Sequence, residues 1–245
     1  MFETDYPCVV LAGGLGTRMQ SSVPNVPKSL IPVLGRPFIE WQLEWLVAQG
    51  VRDVILCIGH LGGKIRRHVG TGESFGIRAT YVDEGDALKG TAGALRLAVD
   101  ELDIATPFYV LYGDSLLDVS VADVTSTYLE VGQPALMTVF RNNRQWEESN
   151  AVFNGRIVTR YEKLLAAPPS DMVYVDYGFL IIDSLIIDEF VPAGEVVDLA
   201  ELLGRLSTSG QLAGLEASRR FFEIGSPAGL VALEEYLATK REGAQ

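Results

Sequence analysis

Three glycines and one arginine near the start of the chain are the first residues that could do chemistry. An apolar run at 8–12 is followed by Gly13, Gly14 and Gly16, and Arg18 comes two positions later. Glycines after a strand let backbone N–H groups surround an anion without a clash from Cβ, and a guanidinium adds a charge that does not titrate. The segment is therefore a candidate phosphate-binding turn. The alternative is a tight strand-to-helix turn with an exposed arginine.

Two familiar phosphate-binding patterns are excluded by the residues of this turn. A Walker loop ends in Gly-Lys-Ser/Thr, whereas Gly16 is followed by Thr17 and Arg18. A dinucleotide-binding fingerprint requires a third glycine at the position that Met19 occupies. The pattern that remains is GGxGTR.

Prolines hold the next charged residue, Lys28, on an extended backbone. Pro24, Pro27 and Pro32 surround this lysine and disfavour a helix there. A surface lysine by itself is usually solvated. A lysine on a stiff backbone shortly after a glycine turn is a second candidate ligand for phosphate.

Short apolar runs alternate with amphipathic segments in the first part of the chain, a pattern typical of βαβ units and a mostly parallel sheet. We predict strands at 8–12, 54–58, 78–82, Phe108–Tyr112 and 135–140. We predict helices at 37–49 and 91–102, the first of which places Phe38, Trp41 and Trp45 on its core face.

The second part of the chain predicts more β structure. The dipeptide Asn154-Gly155 lies between apolar pairs and indicates a hairpin. We predict further strands at Tyr174–Ile182 and Leu212–Glu216, and helices at 199–206 and 227–241. No linker or repeat is visible, so we expect one domain over 1–245 in which a doubly wound front half and a β-rich rear half share a cleft.

Charge and composition limit the classes of function. The chain has 20 lysines and arginines against 32 acids, a formal charge of −12, which argues against broad nucleic-acid binding. No apolar run approaches the roughly 18 to 20 residues of a membrane span, and no basic leader region is visible at the N-terminus. Cys8 and Cys57 lie in apolar runs, so we expect reduced thiols and a cytoplasmic location. An acidic protein that handles phosphates must concentrate its few cations locally.

Longer segments of the chain resemble a known family. LAGGLGTRM at 11–19 and PKSLIPVLGRPFIEW at 27–41 are similar to the signature of the sugar-1-phosphate nucleotidyltransferases. The similarity continues in order through GTAGAL at 90–95, YGD at 112–114, YEK at 161–163, DYGFLII at 176–182 and EIGSP at 223–227. It spans essentially the whole chain and is greatest for the members that resemble heptose- and mannose-1-phosphate guanylyltransferases.

The resemblance implies a fold and a reaction. The expected fold is α/β, a Rossmann-like three-layer α/β/α nucleotidyltransferase fold with a mixed central sheet, with a nucleotide-binding front half at 1–115 and a sugar-phosphate side at 116–245. The expected reaction converts an NTP and a sugar 1-phosphate into an NDP-sugar and pyrophosphate by Mg²⁺-assisted in-line attack on the α-phosphate. Because two polyanions must be brought together, charge neutralisation and positioning are the main catalytic tasks.

The resemblance also implies roles for residues at the triphosphate. Arg18 would contact the departing β- and γ-phosphates and Lys28 the α-phosphate, so Arg18, Lys28 and Asp114 are the expected catalytic residues. The nucleotide-binding turn comprises Leu11, Ala12, Gly13, Gly14, Gly16, Thr17 and Arg18.

Two acids are the expected ligands of Mg²⁺. Asp114 follows the predicted strand Phe108–Tyr112, and the carboxyl ends of strands are where doubly wound sheets place ligands. Carboxylate oxygens suit this hard ion. The family has an aspartate as the second ligand, whereas this chain has Glu223, whose side chain is one methylene longer. Asp118, four residues after Asp114, is expected to face solvent.

The sugar phosphate and the base also have candidate residues. The resemblance places Lys163, with Glu162 beside it, on the sugar phosphate, and Tyr177 and Gly178 in the sugar pocket.

At the other end of the site, Gly90 and Thr91 begin a predicted helix whose backbone groups can contact base or ribose. Glu84 either accepts hydrogen bonds from the N1–H and amino group of guanine or is a solvated acid in a loop.

Other functions remain open at this point. The expected partners are an NTP and a sugar 1-phosphate. We expect no nucleic-acid or membrane partner, and the sequence is compatible with a homo-oligomer. One alternative is a cytidylyl- or uridylyltransferase acting on another sugar phosphate, a non-sugar phosphate or a phosphonate. A second is a sensor that binds nucleotide sugars without turnover. A glycosyltransferase would need an Asp-x-Asp motif, which GDSLLD at 113–118 does not contain.

Overall fold

A computed structural model describes residues 4–16, 23–163, 165 and 167–242 of the protein. Its strands are β1 Cys8–Leu11, β2 Pro32–Val33, β3 Arg36–Pro37, β4 Asp53–Ile58, β5 Arg78–Asp83, β6 Phe108–Tyr112, β7 Ser115–Leu116, β8 Ala135–Arg141, β9 Ala151–Phe153, β10 Val158–Tyr161, β11 Tyr174–Ile182, β12 Leu212–Glu216 and β13 Phe222–Glu223. Its helices are α1 Phe38–Ala48, α2 Gly62–Val69, α3 Gly90–Leu102, α4 Val121–Val131, α5 Ser184–Phe190, α6 Leu199–Thr208 and α7 Pro227–Glu242.

Within these residues, nine strands form one mixed sheet. Seven of the strands follow the order β10-β9-β11-β6-β1-β4-β5. Strand β8 also pairs with β11, and β12 pairs with β8. Strand β1 runs parallel to β4 and β6, and β4 runs parallel to β5. Strand β11 is antiparallel to both β6 and β8. The predicted mixed sheet of an α/β fold is confirmed.

Helices cover both faces of this sheet because successive side chains of each strand point in opposite directions. On β1, Val9 belongs to the core shared with α3, α5 and α6, whereas Cys8 and Val10 belong to the core shared with α1, α2 and α4. Both cysteines are buried and free, and burial raises the pKa of each thiol. Among the described helices, none is long and apolar enough to cross a membrane.

A third, smaller hydrophobic cluster lies beside the sheet and joins distant parts of the chain. Its buried members are Ile31, Val33, Phe38, Leu116, Ile224, Leu233 and Leu237. They come from the segment after Lys28, from the start of α1, from the β7–β13 ribbon and the residue after it, and from helix α7. This cluster therefore fixes those four segments relative to one another.

Most predicted elements agree with the structure to within two residues, but α2, α4 and α5 are not predicted by the sequence patterns. Two glycines open α2, α4 is rich in β-branched valine and threonine, and α5 is only seven residues long. Trp41 and Trp45, predicted on the core face of α1, pack against the hydrophobic core but are only partly buried. The buried side of the helix carries Ile39, Gln42, Leu43 and Leu46 together with Phe38.

The sequence indicates that Asp118 faces solvent, but its side chain is only 33% exposed and holds the C-terminal segment in place. Its Oδ2 accepts hydrogen bonds from Arg219 Nη1 at 2.9 Å and Tyr236 Oη at 3.2 Å, and lies 3.6 Å from Lys240 Nζ. Burial opposes ionisation, but the hydrogen bond from Arg219 and the charges of Lys240 and Arg219 more than offset it, so the pKa of Asp118 is lowered. Arg219 precedes β13 in the chain, and Tyr236 and Lys240 follow it on α7.

We predict that Asp118→Asn destabilises the fold in a pH-dependent way. Because the folded pKa of Asp118 is lowered, its contribution is present above the unfolded pKa of about 4 and is lost as the pH falls through the folded value. Urea unfolding should show the largest difference from wild type near neutral pH and a shrinking difference in acid. Asp171→Asn, an exposed control outside this cluster, should show little difference. A gap for Asp118→Asn that is constant with pH would contradict the assignment.

Candidate functional site

A cavity of about 350 Å³ opens at the carboxyl ends of β1 and β6, where most of the predicted site residues meet. The predicted residues that line it are Leu11, Ala12, Gly13, Gly14, Gly16, Lys28, Glu84, Gly90, Thr91, Asp114 and Lys163. Thr17 and Arg18 lie outside the described residues. The sequence reasoning missed Ser29, Leu88, Ala94, Tyr112, Gly113, Asp198 and Gly225, which also line the cavity.

The glycine turn is shaped by close neighbours on the adjacent strand. Ala12 N donates to Cys57 O at 2.9 Å, which continues the pairing of β1 with β4 into the turn. An ideal Cβ at Gly13 would lie 2.5 Å from Glu84 Oε1 and 3.3 Å from Gly59 N, so a side chain here would displace the Glu84 carboxylate. By contrast, nothing lies within 4 Å of the Cβ position of the exposed Gly14. The open side of the turn is therefore accessible to a ligand.

Lys28 and Asp114 form an ion pair inside the cavity, although 86 residues separate them. Lys28 Nζ lies 2.5 Å from Asp114 Oδ2, and the side chains are 18% and 30% exposed. Pro27 is extended, as predicted, but Lys28 itself begins a single 3-10 turn that ends at Leu30. In this arrangement each charge neutralises the other, and both remain accessible to a phosphate or a metal ion.

The turn that carries Asp114 approaches β1 so closely that a side chain would not fit. Gly113 N donates to Leu11 O at 3.1 Å, and an ideal Cβ at Gly113 would lie only 2.3 Å from the same oxygen. On the other side, Asp114 O accepts from Ile224 N at 3.0 Å. The position of Asp114 is therefore determined by β1 and by the segment that contains Glu223.

Glu223 lies beside the ion pair. It pairs with Ser115 in the β7–β13 ribbon, and an ideal Cβ at Gly225 would lie 2.8 Å from Glu223 Oε1 and 3.2 Å from Lys28 Nζ. One carboxylate and one ammonium thus lie against Gly225, and the same ammonium pairs with Asp114. Asp114 lines the cavity, whereas Glu223 lies beside Lys28 and is not part of the lining. Mg²⁺ usually takes one or two protein carboxylates and completes its shell with phosphate and water, so Asp114 and Glu223 are the candidate ligands. No cluster of three or more potential metal ligands occurs in the described part of the chain.

At the sugar side, the structure adds a buried acid to the exposed Lys163. Asp176 is 8% exposed and accepts hydrogen bonds from Tyr112 Oη at 2.7 Å and Gly178 N at 2.9 Å. Burial raises its pKa, and these hydrogen bonds and the charge of Lys163 offset only part of the increase. The signal in the sequence was a carboxylate within an otherwise apolar strand.

Three predicted sugar-side residues do not line the cavity. Tyr177 is fully buried on the opposite face of β11, where its ring packs on Phe221 with centroids 5.5 Å apart and burial raises its pKa to about 12. Gly178 lies in the β11 bulge with φ +90°, and its Cβ position is 3.2 Å from Ser115 Oγ. Glu162 is exposed and pairs with Arg160. Gly178 lies behind the cavity wall, because its Cβ position is 3.3 Å from the ring of the lining residue Tyr112.

At the other end, the N-termini of α3 and α6 meet at the cavity. Thr91 Oγ1 donates to Asp198 Oδ1 at 3.1 Å and accepts from Leu199 N at 2.7 Å. Glu84 Oε2 accepts from Lys89 N at 2.7 Å, and burial raises the pKa of this acid. One oxygen of Glu84 therefore already accepts a hydrogen bond from the backbone, so fewer of its lone pairs remain for the two hydrogen bonds that guanine would donate.

Comparison with known proteins assigns the chain to a family. Residues 8–154 match the family described as "Nucleotidyl transferase". The chain therefore belongs to the nucleotidyl transferase family, and the family prediction is confirmed.

Individual relatives differ in the nucleotide that their names specify. The chain is 29% identical to a UTP–glucose-1-phosphate uridylyltransferase of Synechocystis over 82% of this chain and 55% of that protein. It is 33% identical to a D-glycero-alpha-D-manno-heptose 1-phosphate guanylyltransferase of Campylobacter jejuni over 46% of this chain and 50% of that protein. The chain thus spans about half the length of these curated relatives.

A solved structure shows the same fold. The crystal structure of HddC from Yersinia pseudotuberculosis is 20% identical, with a TM-score of 0.78 over 95% of this chain and 99% of that one. The predicted Rossmann-like fold is confirmed.

We predict that Gly113→Ala is destabilising because its methyl group would overlap Leu11 O, a backbone atom that cannot rotate away. Urea unfolding should show a loss of about 1–3 kcal/mol in the free energy of unfolding. The control Gly63→Ala places its methyl group on α2, where the nearest atom outside the helix backbone is Arg67 Nη1 at 3.7 Å. It should be neutral or stabilising by up to about 1 kcal/mol. Equal stabilities of Gly113→Ala and wild type would contradict the close approach of β1 and the Asp114 turn.

Proposed function

We propose that the protein transfers a nucleoside monophosphate from an NTP to a sugar 1-phosphate and releases pyrophosphate. The observation that carries this proposal is the Lys28–Asp114 ion pair, which lies in the cavity bordered by the glycine turn and lies close to Glu223. A reaction between two polyanions needs cations and a metal-binding acid at the same place. The membership of the nucleotidyl transferase family agrees with this chemistry.

In the proposed reaction, the glycine turn binds the triphosphate through backbone N–H groups, with Arg18 on the β- and γ-phosphates. Lys163 holds the sugar phosphate, one of whose oxygens attacks the α-phosphorus in line. A new bond forms between that oxygen and the α-phosphorus, and the bond from the α-phosphorus to the oxygen bridging to the β-phosphate breaks. The electron pair leaves with pyrophosphate. Lys28 would move from Asp114 to the α-phosphate and stabilise the charge that redistributes there.

Asp114 and Glu223 are the proposed ligands of Mg²⁺. When bound, the ion would neutralise phosphate charge and act as a Lewis acid at the phosphate oxygens. Lys28 would carry the mobile charge. The β7–β13 ribbon, which contains Glu223 and begins directly after Asp114, would keep the two carboxylates in place.

For the substrates, we propose GTP and a heptose- or mannose-type sugar 1-phosphate. The similarity to the Campylobacter jejuni guanylyltransferase supports this choice, and Glu84, which lines the cavity, would accept from guanine with the oxygen that Lys89 N does not bond. The principal alternative to GTP is a pyrimidine nucleotide, because another relative is a uridylyltransferase.

The test is a matrix of ATP, GTP, CTP, UTP and dTTP against glucose, mannose, heptose and inositol phosphates, read by pyrophosphate release with Mg²⁺ present. The proposal expects release with at least one sugar 1-phosphate and the highest kcat/KM with GTP. A preference for CTP or UTP would overturn the choice of base. Tight nucleotide binding without release in every pair would identify a sensor and overturn the proposed reaction.

We predict that Lys28→Ala lowers kcat by at least about 100-fold, because it removes the cation proposed to act at the α-phosphate. The matched control is Lys64→Ala, since the Lys64 ammonium contacts Asn25 O outside the cavity. It should keep kcat within about threefold of wild type, which is the scale of a surface substitution. Steady-state kinetics that give Lys28→Ala a near-normal kcat would refute the role of Lys28.

A further inference from the structure

Gln42 is a buried amide on helix α1 that no step of the proposed reaction uses. The residue is 1% exposed and lies one turn after Phe38, the first residue of the helix. Its Nε2 donates to Tyr112 O at 2.8 Å and to Ser115 O at 2.9 Å. These two carbonyl groups immediately flank Gly113 and Asp114, so one side chain holds both ends of the turn that carries the proposed metal ligand.

The other half of the amide has no partner. Gln42 Oε1 is buried and makes no hydrogen bond within the described part of the chain. Its orientation is nevertheless unambiguous, because both neighbours of Nε2 are carbonyl oxygens that only an N–H group can bond. A buried acceptor without a partner costs free energy, so an apolar side chain would suit this core better if packing alone mattered. The two donated hydrogen bonds are the feature that distinguishes glutamine here.

Helix α1 also holds the segment that carries Lys28. Phe38 N donates to Ile31 O at 3.0 Å, and Ile31 N in turn bonds Lys28 O at 3.1 Å. The same rigid element therefore contacts both partners of the Lys28–Asp114 pair through short hydrogen-bonded links. The geometry of the pair depends on α1 as well as on β1 and β13.

We propose that Gln42 is a positioning residue that fixes Asp114 for metal binding by holding the carbonyl groups of Tyr112 and Ser115. This inference rests on the proposed function in one respect, the assignment of Asp114 as a ligand of Mg²⁺. Residues that orient a metal ligand typically affect metal affinity or activity by about 10- to 100-fold. Loss of the two donors should therefore loosen the turn and weaken metal binding before it unfolds the protein.

The test compares Gln42→Met with a matched control on the same helix segment. Methionine keeps the length of the side chain but has no N–H donor. The control is Gln49→Met, because Gln49, at the end of α1, also bonds a distant backbone group, accepting from Val121 N at 3.0 Å. Both variants lose a side-chain hydrogen bond to a distant backbone group, but only Gln42 contacts the Asp114 turn.

Two measurements on ligand-free and nucleotide-bound protein decide the matter without turnover. In hydrogen–deuterium exchange, Gln42→Met should speed exchange of the amides at 113–116 by about tenfold or more, whereas Gln49→Met should leave them near wild type. In electron paramagnetic resonance with Mn²⁺ and a non-hydrolysable NTP analogue, Gln42→Met should raise the Mn²⁺ dissociation constant by about tenfold or more. Gln49→Met should change it by less than about twofold, because it is distant from the site.

The outcomes separate this inference from the proposed function. If Gln42→Met lowers only the melting temperature and leaves exchange at 113–116 and the Mn²⁺ dissociation constant as in Gln49→Met, Gln42 is a packing residue and the inference is overturned. Should Gln42→Met fail to fold, Gln42→Asn, whose amide is one methylene too short to reach both carbonyls, should show the same two effects at smaller size. Wild-type protein that binds Mn²⁺ but releases no pyrophosphate would overturn the reaction, while the exchange and Mn²⁺ comparison would still decide the role of Gln42.

Discussion

The ion pair between Lys28 and Asp114 is the interaction on which the arrangement of the site depends. The chain carries a formal charge of −12, so a ligand rich in phosphate is repelled by most of its surface. The cavity differs from this surface because it contains the ammonium of Lys28, 2.5 Å from Asp114, and a glycine turn whose exposed backbone can bind anions. In the proposed reaction, this ion pair would keep the ammonium in place until a phosphate competes for it.

Several parts of the fold hold this pair from different directions. The apolar residues Ile31, Leu116 and Ile224 pack in one small cluster, and each lies close in sequence to a proposed functional residue, Lys28, Asp114 or Glu223. The Asp118 contacts to Arg219, Tyr236 and Lys240 fasten the same C-terminal segment to the sheet. Stability and function are thus linked here, because disturbing this cluster would move charged groups as well as cost packing energy.

The local features of the site were predictable from the sequence, and the features created by tertiary contacts were not. The glycine turn, Lys28 and Asp114 were found because each is marked by neighbours in sequence, and parallel strands bring their carboxyl ends to one edge of a sheet. Tyr177 was placed in the sugar pocket although strand alternation puts it on the opposite face from Asp176, which accepts a hydrogen bond from Tyr112, a residue of the cavity wall. Gln42 could not be found, since only the packing of α1 against the Asp114 turn shows what its amide does. The structure brings Lys28, Asp114 and Lys163 to one cavity, but their roles stay predictions, as do those of Arg18 and Glu223.

The most direct test of this account is a crystal structure of the protein with a non-hydrolysable NTP analogue and Mg²⁺. The account predicts that the triphosphate lies on the glycine turn and that Lys28 has left Asp114 for the α-phosphate. It also predicts that the carboxylates of Asp114 and Glu223 hold the ion. A nucleotide bound elsewhere, or a Lys28–Asp114 pair that persists beside the bound triphosphate with no ion at either acid, would contradict it.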